Sequence, residues 1–222
     1  MAYCQVMSPR PADPGIRAAL IDAAAQIVAS EGRAGLTLRR LASDVGTSTM
    51  AIYTHFGSMH ELRREVRREG FARLRQSLGA VRTTRDPMAD LTVLGAAYYL
   101  SATSAPNLYR AMFLDGPVDE ADFATGLDTF MYLVKGVARC IDAGRLPEVR
   151  TDDPAELAVE VWALEHGLVT LQLAHLLPPE QALRHLRDGA HSLFLAWGDD
   201  PKDQARSLAA ARRRIAARRP QR

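Results

Sequence analysis

The chain has 222 residues, 47% of them apolar and 24% charged, a balance that excludes disorder as the main state. At roughly 150 residues per domain, the length fits one or two domains with a core that needs neither disulfides nor a structural metal. The formal charge of +2 conceals a segregation: 12 Arg against 7 acids over 1–82 (net +5), net −8 over 83–198 and net +5 over 199–222. A basic front, an acidic middle and a basic tail suggest two jobs on one chain, one of them involving a polyanion. The cysteines, Cys4 and Cys140, stand far apart in no metal-like spacing, which points to a reducing cytoplasm. No apolar run reaches the ~20 residues of a membrane helix, and the first residues lack the apolar core of a signal peptide.

In chain order, residues 1–12 read as a flexible arm, in which Met7 offers a second plausible start. Asp13-Pro14 supplies an N-cap and a proline at the first helical position. Ile16, Leu20, Ala24, Ile27 and Val28 follow at helical spacing, and Gly32 closes that segment. Thr37 caps a second, short helix ending at Val45, with Leu36 and Leu41 spaced as a hydrophobic staple. Gly46 is able to take the left-handed conformation there. Thr47-Ser48-Thr49 opens a third helix through Phe56, and Ser58 with Glu61 forms a capping box for a long fourth one.

The same punctuation predicts later helices: Asp86-Pro87 to Thr103, Pro106 to Leu114, about Ala121 to Ala143, Asp153-Pro154 to Leu177, and Glu180 to Trp197. Asp115-Gly116-Pro117 reads as a loop. Asp200-Pro201 starts a last, Arg-rich helix that frays after Ile215. No alternating strand pattern and no internal repeat stand out, so the expected fold class is all-α.

The stretch GLTLRRLASDVGTSTMAIYTHFGSMHEL, residues 35–62, is the informative one. Two short helices joined by a tight glycine turn make a helix-turn-helix. The second is polar at its start (Thr47, Ser48, Thr49) and aromatic towards its end (Tyr53, Phe56). A helix N-terminus offers unpaired amides and a positive dipole end, which suit phosphate oxygens and major-groove acceptors. On these features alone, a plain helical hairpin explains the stretch equally well.

The residues of this region resemble the DNA-binding domain of the TetR family of bacterial transcriptional regulators. The matching pattern is Ala24, Ile27 and Gly32, then Leu36 to Ala42, Val45 to Ser48 and Ala51 to Phe56. The resemblance implies a three-helix DNA-binding domain over 13–60, a connecting helix over 61–82, a helical-bundle ligand-binding and dimerisation domain over 83–198, and a basic tail over 199–222. It also implies roles for single residues. Thr37 caps the second helix and touches a phosphate. Thr47, Ser48, Thr49 and Met50 begin the recognition helix, where Met50 can offer only apolar contact, as to a thymine methyl. Tyr53 and His55 match a phosphate-contacting pair, and Thr54 adds a polar contact. Ala51, Ile52 and Phe56 pack the head. The family's usual lysine on the first turn of helix four is Met59 here, so Arg39, or Arg63 with Arg64, is the candidate to compensate.

In the second domain, YYLSATSAPNLYRAMFL (98–114) resembles the family's central helices, where a proline break flanks the ligand cavity. The candidate lining residues are Tyr98, Tyr99, Tyr109, Met112, Phe113, Phe130 and Met131, with ordinary core packing as the competing explanation. Trp162, His166 and Gly167 resemble the Trp-His-Gly subgroup of regulatory domains. His166 reads either as a pocket group or as a core histidine bonded to a backbone carbonyl, and Gly167 as a point of close helix approach. The helices at about 154–177 and 180–197 are the expected homodimer interface, with Leu164, Leu168, Leu171, Leu186, Leu193 and Trp197 as apolar stripes that an intrachain core also explains.

An enzyme is the rival from another class. The chain has no H-E-x-x-H, E-x-x-H pair, C-x-x-C, nucleophile elbow or P-loop. Its six histidines form no ligand set, so no metal and no cofactor is expected. A ligand-independent architectural DNA binder, or an activator, is the other alternative. The expected function is a homodimeric repressor of a palindromic double-stranded DNA operator, released by a small, largely apolar effector.

Overall fold

The computed structural model describes residues 14–114, 120–151 and 153–217. The expectations for the arm at 1–12, for Cys4 and Asp13, for the loop at 115–117 and for the last five residues lie outside them. Among the described residues there are ten α-helices, one 3-10 turn and no strand. The head comprises α1 (Pro14–Glu31), a 3-10 turn (Arg33–Gly35), α2 (Leu38–Val45) and α3 (Thr49–Phe56). Helix α4 (Met59–Gly79) leads out of it. Then follow α5 (Pro87–Ser104), α6 (Pro106–Phe113), α7 (Glu120–Asp142), α8 (Pro154–Leu173), α9 (Pro179–Ala196) and α10 (Pro201–Ala217).

Side-chain caps set most of these starts. Thr37 accepts from the Arg40 amide (3.3 Å), Ser48 from Ala51 (3.1 Å) and Ser58 from Glu61 (3.1 Å), each satisfying an orphan donor of the first turn. The Ser58 box is half made, because the Glu61 carboxylate turns to Arg64 at 3.2 Å instead. Asp86 and Asp153 cap α5 and α8, each followed by proline at the first position. Gly46 takes φ +70° at the α2–α3 corner, a conformation that a Cβ disfavours, and its amide closes α2.

Helix α8 stops four residues short of the expected Leu177. His175 adopts φ 59°, and the Leu176 amide folds back on the Leu171 carbonyl at 3.0 Å. This 6→1 closure leaves 174–178 as a turn that delivers the chain to Pro178.

One apolar core runs through the molecule. It joins Leu20, Ile27, Leu41, Ile52, Phe56 and Leu62 of the head to Tyr98, Met112, Val137, Val161 and Phe194 of the second domain. The basic tail helix α10 is docked on α5 through Ala89, Val93 and Ala211. Arg214 reaches Asp90 at 2.6 Å, and Asp90 also takes Arg139 at 2.8 Å. Arg145 pairs with the buried Asp199 at 2.6 Å. Part of the tail's positive charge is therefore spent on the acidic middle.

Candidate functional site

The head presents one solvent face. Ile52 and Phe56 point into its core, while Thr49, Met50, Tyr53 and Thr54 of α3 are exposed, Met50 to 71% and Tyr53 to 45%. Positions 49, 50, 53 and 54 share one side of the helix. Thr47, Ala51 and His55 are half-buried, and Thr54 Oγ1 donates back to the Met50 carbonyl at 3.0 Å. The Ser48 hydroxyl caps the Ala51 amide, and the amides of Thr49 and Met50 have no intrahelical partner. Thr37 and Arg39 are exposed at the start of α2. Arg39 forms no ion pair or hydrogen bond among the described residues, whereas Arg40 is held by Asp44 and Glu31, and Arg64 by Glu61. Arg63 is only half-exposed. Of the arginines offered in place of a lysine at Met59, Arg39 has the free and solvated charge.

The second site is a cavity of about 450 Å³. Its walls come from five helices: Phe71, Leu74 and Leu78 of α4, Leu94 and Tyr98 of α5, Met112 and Phe113 of α6, Gly126, Leu127, Thr129, Phe130 and Leu133 of α7, and Val159, Trp162, Glu165 and His166 of α8. Size and apolar lining match a small-molecule site. The structure brings six of the sequence candidates to this wall: Tyr98, Met112, Phe113, Phe130, Trp162 and His166. Three others lie off it. Tyr99 turns the other way and donates to Gln172 of α8 at 2.5 Å. Tyr109 sits behind Phe113, ring centroids 4.8 Å apart. Met131 falls on the outer side of α7, 36% exposed.

The polar groups of the wall are mostly satisfied among themselves. The Tyr98 and Tyr109 hydroxyls are 2.8 Å apart and lie 3.2 and 2.6 Å from His166 Nδ1. His166 is thus held by side-chain hydroxyls rather than by a backbone carbonyl. Burial lowers its basicity, so it is neutral at pH 7, and burial raises both tyrosines far above their ordinary range. Gly167 faces open space, and the close contact on this pair of helices is Leu164 against Gly189.

The residue that sequence reasoning missed is Glu165, 7% exposed, whose carboxyl burial pushes up to about 8. The signal was available: Glu165 stands four residues from both Val161 and Val169, on the buried stripe of α8.

Cavity and head share parts. Helix α4 is both cavity wall and neighbour of α3. Helix α6 ties them further, with Asn107 donating to the Ala29 carbonyl of α1 at 2.8 Å and Arg67 of α4 donating to Ala111 at 3.1 Å.

A capped helix-turn-helix carried on a helix that also walls an apolar cavity defines a two-domain DNA-binding regulator. Comparisons with protein families agree: the model described as bacterial regulatory proteins, tetR family, matches residues 20–66, and the tetracyclin repressor-like C-terminal domain matches 91–192. The chain belongs to the TetR family of bacterial transcriptional regulators. Solved structures share the fold. A Rhodococcus sp. RHA1 protein of unknown function is 21% identical at TM-score 0.69, covering 86% of this chain and 97% of that one. A TetR-family regulator from Rhodococcus sp., 21% identical, gives 0.64 over 81% and 99%. AmtR of Mycobacterium smegmatis, 18% identical, gives 0.60 over 95% and 99%. No curated protein matches the chain. No helix among the described residues is long and apolar enough to cross a membrane, and no cluster of three metal-ligating side chains occurs among them.

Proposed function

We propose that the chain is a cytoplasmic, homodimeric repressor, released from a palindromic operator when a small, largely apolar molecule fills the cavity. The carrying observation is the double duty of α4: Phe71, Leu74 and Leu78 wall the cavity, and its first turn abuts the recognition helix. A ligand that favours one setting of α4 changes the spacing of two heads, and only differential affinity for the two settings drives that change.

On the DNA, Thr49, Met50 and Thr54 face base edges from the major groove. Thr37, Arg39, Tyr53 and His55, with the α3 amides beyond Ser48 and Thr47, contact phosphates. Exposure of this face and the free charge of Arg39 support the assignment. Two copies pair through α8 and α9. Leu186 and Trp197 are buried within the chain, so the interface rests on exposed apolar residues such as Leu171 and Leu183. Within the family, Trp162 and His166, ring centroids 5.1 Å apart, support kinship with the Trp-His-Gly subgroup.

The test is a mobility-shift assay on the intergenic DNA upstream of the chain's own gene. The wild-type dimer shifts it, and Tyr53→Ala weakens binding by about tenfold, the effect of losing one good contact. Tyr53→Ala binding as well as wild type, or no shift at all, sinks the reading.

A further inference from the structure

We propose that the cavity selects a small apolar monocation, a protonated or quaternary amine, with Glu165 as its counter-charge. This rests on the reading of the cavity as the effector site and gives that effector a charge.

Glu165 lies midway along α8, 93% of its surface covered, and forms part of the cavity wall. Among the described residues, no hydrogen bond or ion pair reaches its carboxyl and no cationic side chain lines the cavity. The Oε1 atom rests against Gly95 of α5, where even a methyl group would collide with it. The wall is cleared to seat a carboxyl and then offers it nothing.

The hydroxyls of the wall and one ring nitrogen of His166 are engaged. Tyr98 and His166 close a hydrogen-bonded set with Tyr109, and Thr129 Oγ1 donates to the Thr125 carbonyl at 3.4 Å. A buried carboxyl with no partner is costly, so its retention in an apolar cavity points to a partner that comes from outside.

Aromatic rings line the same cavity. Trp162 stands one turn before Glu165, with Phe113 and Phe130 at 6.4 and 6.1 Å from its ring. Aromatic faces within about 6 Å attract an alkylammonium while accepting its carbon shell. A carboxylate beside aromatic rings is complementary to an organic cation, and 450 Å³ limits that cation to a small one.

The empty cavity is uncharged at pH 7. Burial keeps Glu165 protonated up to about pH 8 and keeps His166 neutral. The groups that face Glu165 are Tyr98 from α5, Tyr109 from α6 and His166 on its own helix, and both tyrosines stay protonated. Among the described residues, α4 and α7 line the cavity with apolar side chains and Thr129. When a cation enters, the carboxyl releases its proton to solvent and the carboxylate pairs with the ligand, so net charge is conserved.

The experiment is calorimetric titration of the full-length protein at pH 7 with benzyltrimethylammonium and benzyltriethylammonium, and with their uncharged carbon counterpart, neopentylbenzene. Titrations run in two buffers of different ionisation enthalpy. The expected result is binding of a cation with release of up to one proton, and weaker binding of neopentylbenzene. Glu165→Gln, checked for folding by its thermal transition, weakens cation binding by about 30-fold or more and abolishes proton release. It leaves neopentylbenzene within about threefold. Glu165→Leu behaves like Glu165→Gln toward the cations.

Neopentylbenzene binding as tightly as the cations, or cation binding untouched by Glu165→Gln, overturns the proposal while the cavity stands as a sensor. Cation binding kept by Glu165→Gln and lost in Glu165→Leu overturns it in favour of a neutral hydrogen-bond donor. Binding of no probe overturns the proposal and counts against the sensor reading too.

Discussion

The head and the second domain treat polar side chains in opposite ways. In the head, Thr37, Arg39, Thr49, Met50 and Tyr53 stand in solvent. Among the described residues, the buried polar and charged side chains, tyrosines aside, are Asp90, Thr129, Glu165, Asp199, Gln204 and Ser207, all beyond the head. Asp90 takes the Thr84 amide and hydroxyl, Arg139 and Arg214; Asp199 takes Arg145; Glu165 takes nothing. The reason is the place of the partner. DNA approaches from water, so contact groups wait solvated at little cost. A small ligand enters a dry cavity, so its contact groups must be buried beforehand. An unpaired group therefore says little on the head and a great deal in the second domain.

The largest expected effect breaks the comparison if Glu165 behaves like a solvated acid. Its folded pKa of about 8 lies above the ordinary carboxylate value, so the folded state binds the proton more tightly. The stability it allows is complete below about pH 4.5 and is lost as pH rises through 8, on the order of 5 kcal/mol in all. Calorimetric melting of wild type from pH 5 to 8.5 shows that decline, and Glu165→Gln flattens it and melts higher at pH 8. Equal slopes would mean that the carboxyl is hydrated.

Next comes Asp90, the opposite case of a buried acid fully partnered. Burial alone would raise its carboxyl, but the Thr84 amide, then Arg139 and Arg214, outweigh it and hold the group below the usual range. A depressed folded pKa means stability present above the unfolded value near 4 and lost as pH falls through the lower folded one. Asp90→Ala leaves two partly covered arginines without their acid and costs about 3 kcal/mol. Hydrogen exchange in α10 rises in that variant while exchange in α1 to α3 does not. Loss of protection in the head as well would show that the two regions are one unit in energy.

The same contrast sets what was legible in the sequence. Caps at Thr37, Ser48, Ser58, Asp86 and Asp153 act within four residues, so helix starts and the head's motif could be read directly. Helix α8 was read four residues too long, because a left-handed His175 is a rare choice that no local residue type signals. The cavity depends on contacts between helices. Family resemblance and residue type picked out Tyr98, Met112, Phe113, Phe130, Trp162 and His166, but facing direction removed Tyr99, Tyr109 and Met131. The docking of the tail helix was not legible, since its anchor, Asp90, lies 124 residues away from Arg214. Glu165 was passed over because a single acid in an apolar helix resembles a solvated position until its period is counted.

The smallest expected effect on stability tests the head's side of the comparison. Met50 is 71% exposed at the start of α3 and packs against nothing in the core, so Met50→Ala changes folding stability by no more than about 0.5 kcal/mol. Alanine also suits a helix at least as well as methionine. On the operator, the lost side chain removes apolar contact to one base edge. Discrimination at that base pair falls about fivefold, or about 1 kcal/mol, in each half-site, with other positions unchanged. Competition binding against operators varied one base pair at a time reads this out directly. A uniform loss across all sequences would assign Met50 to the backbone contacts, and a lower melting temperature would show that it supports the fold. A change confined to one position, with the melting curve unmoved, leaves the head as a surface whose reading groups are separable from its core, which the walls of the cavity are not.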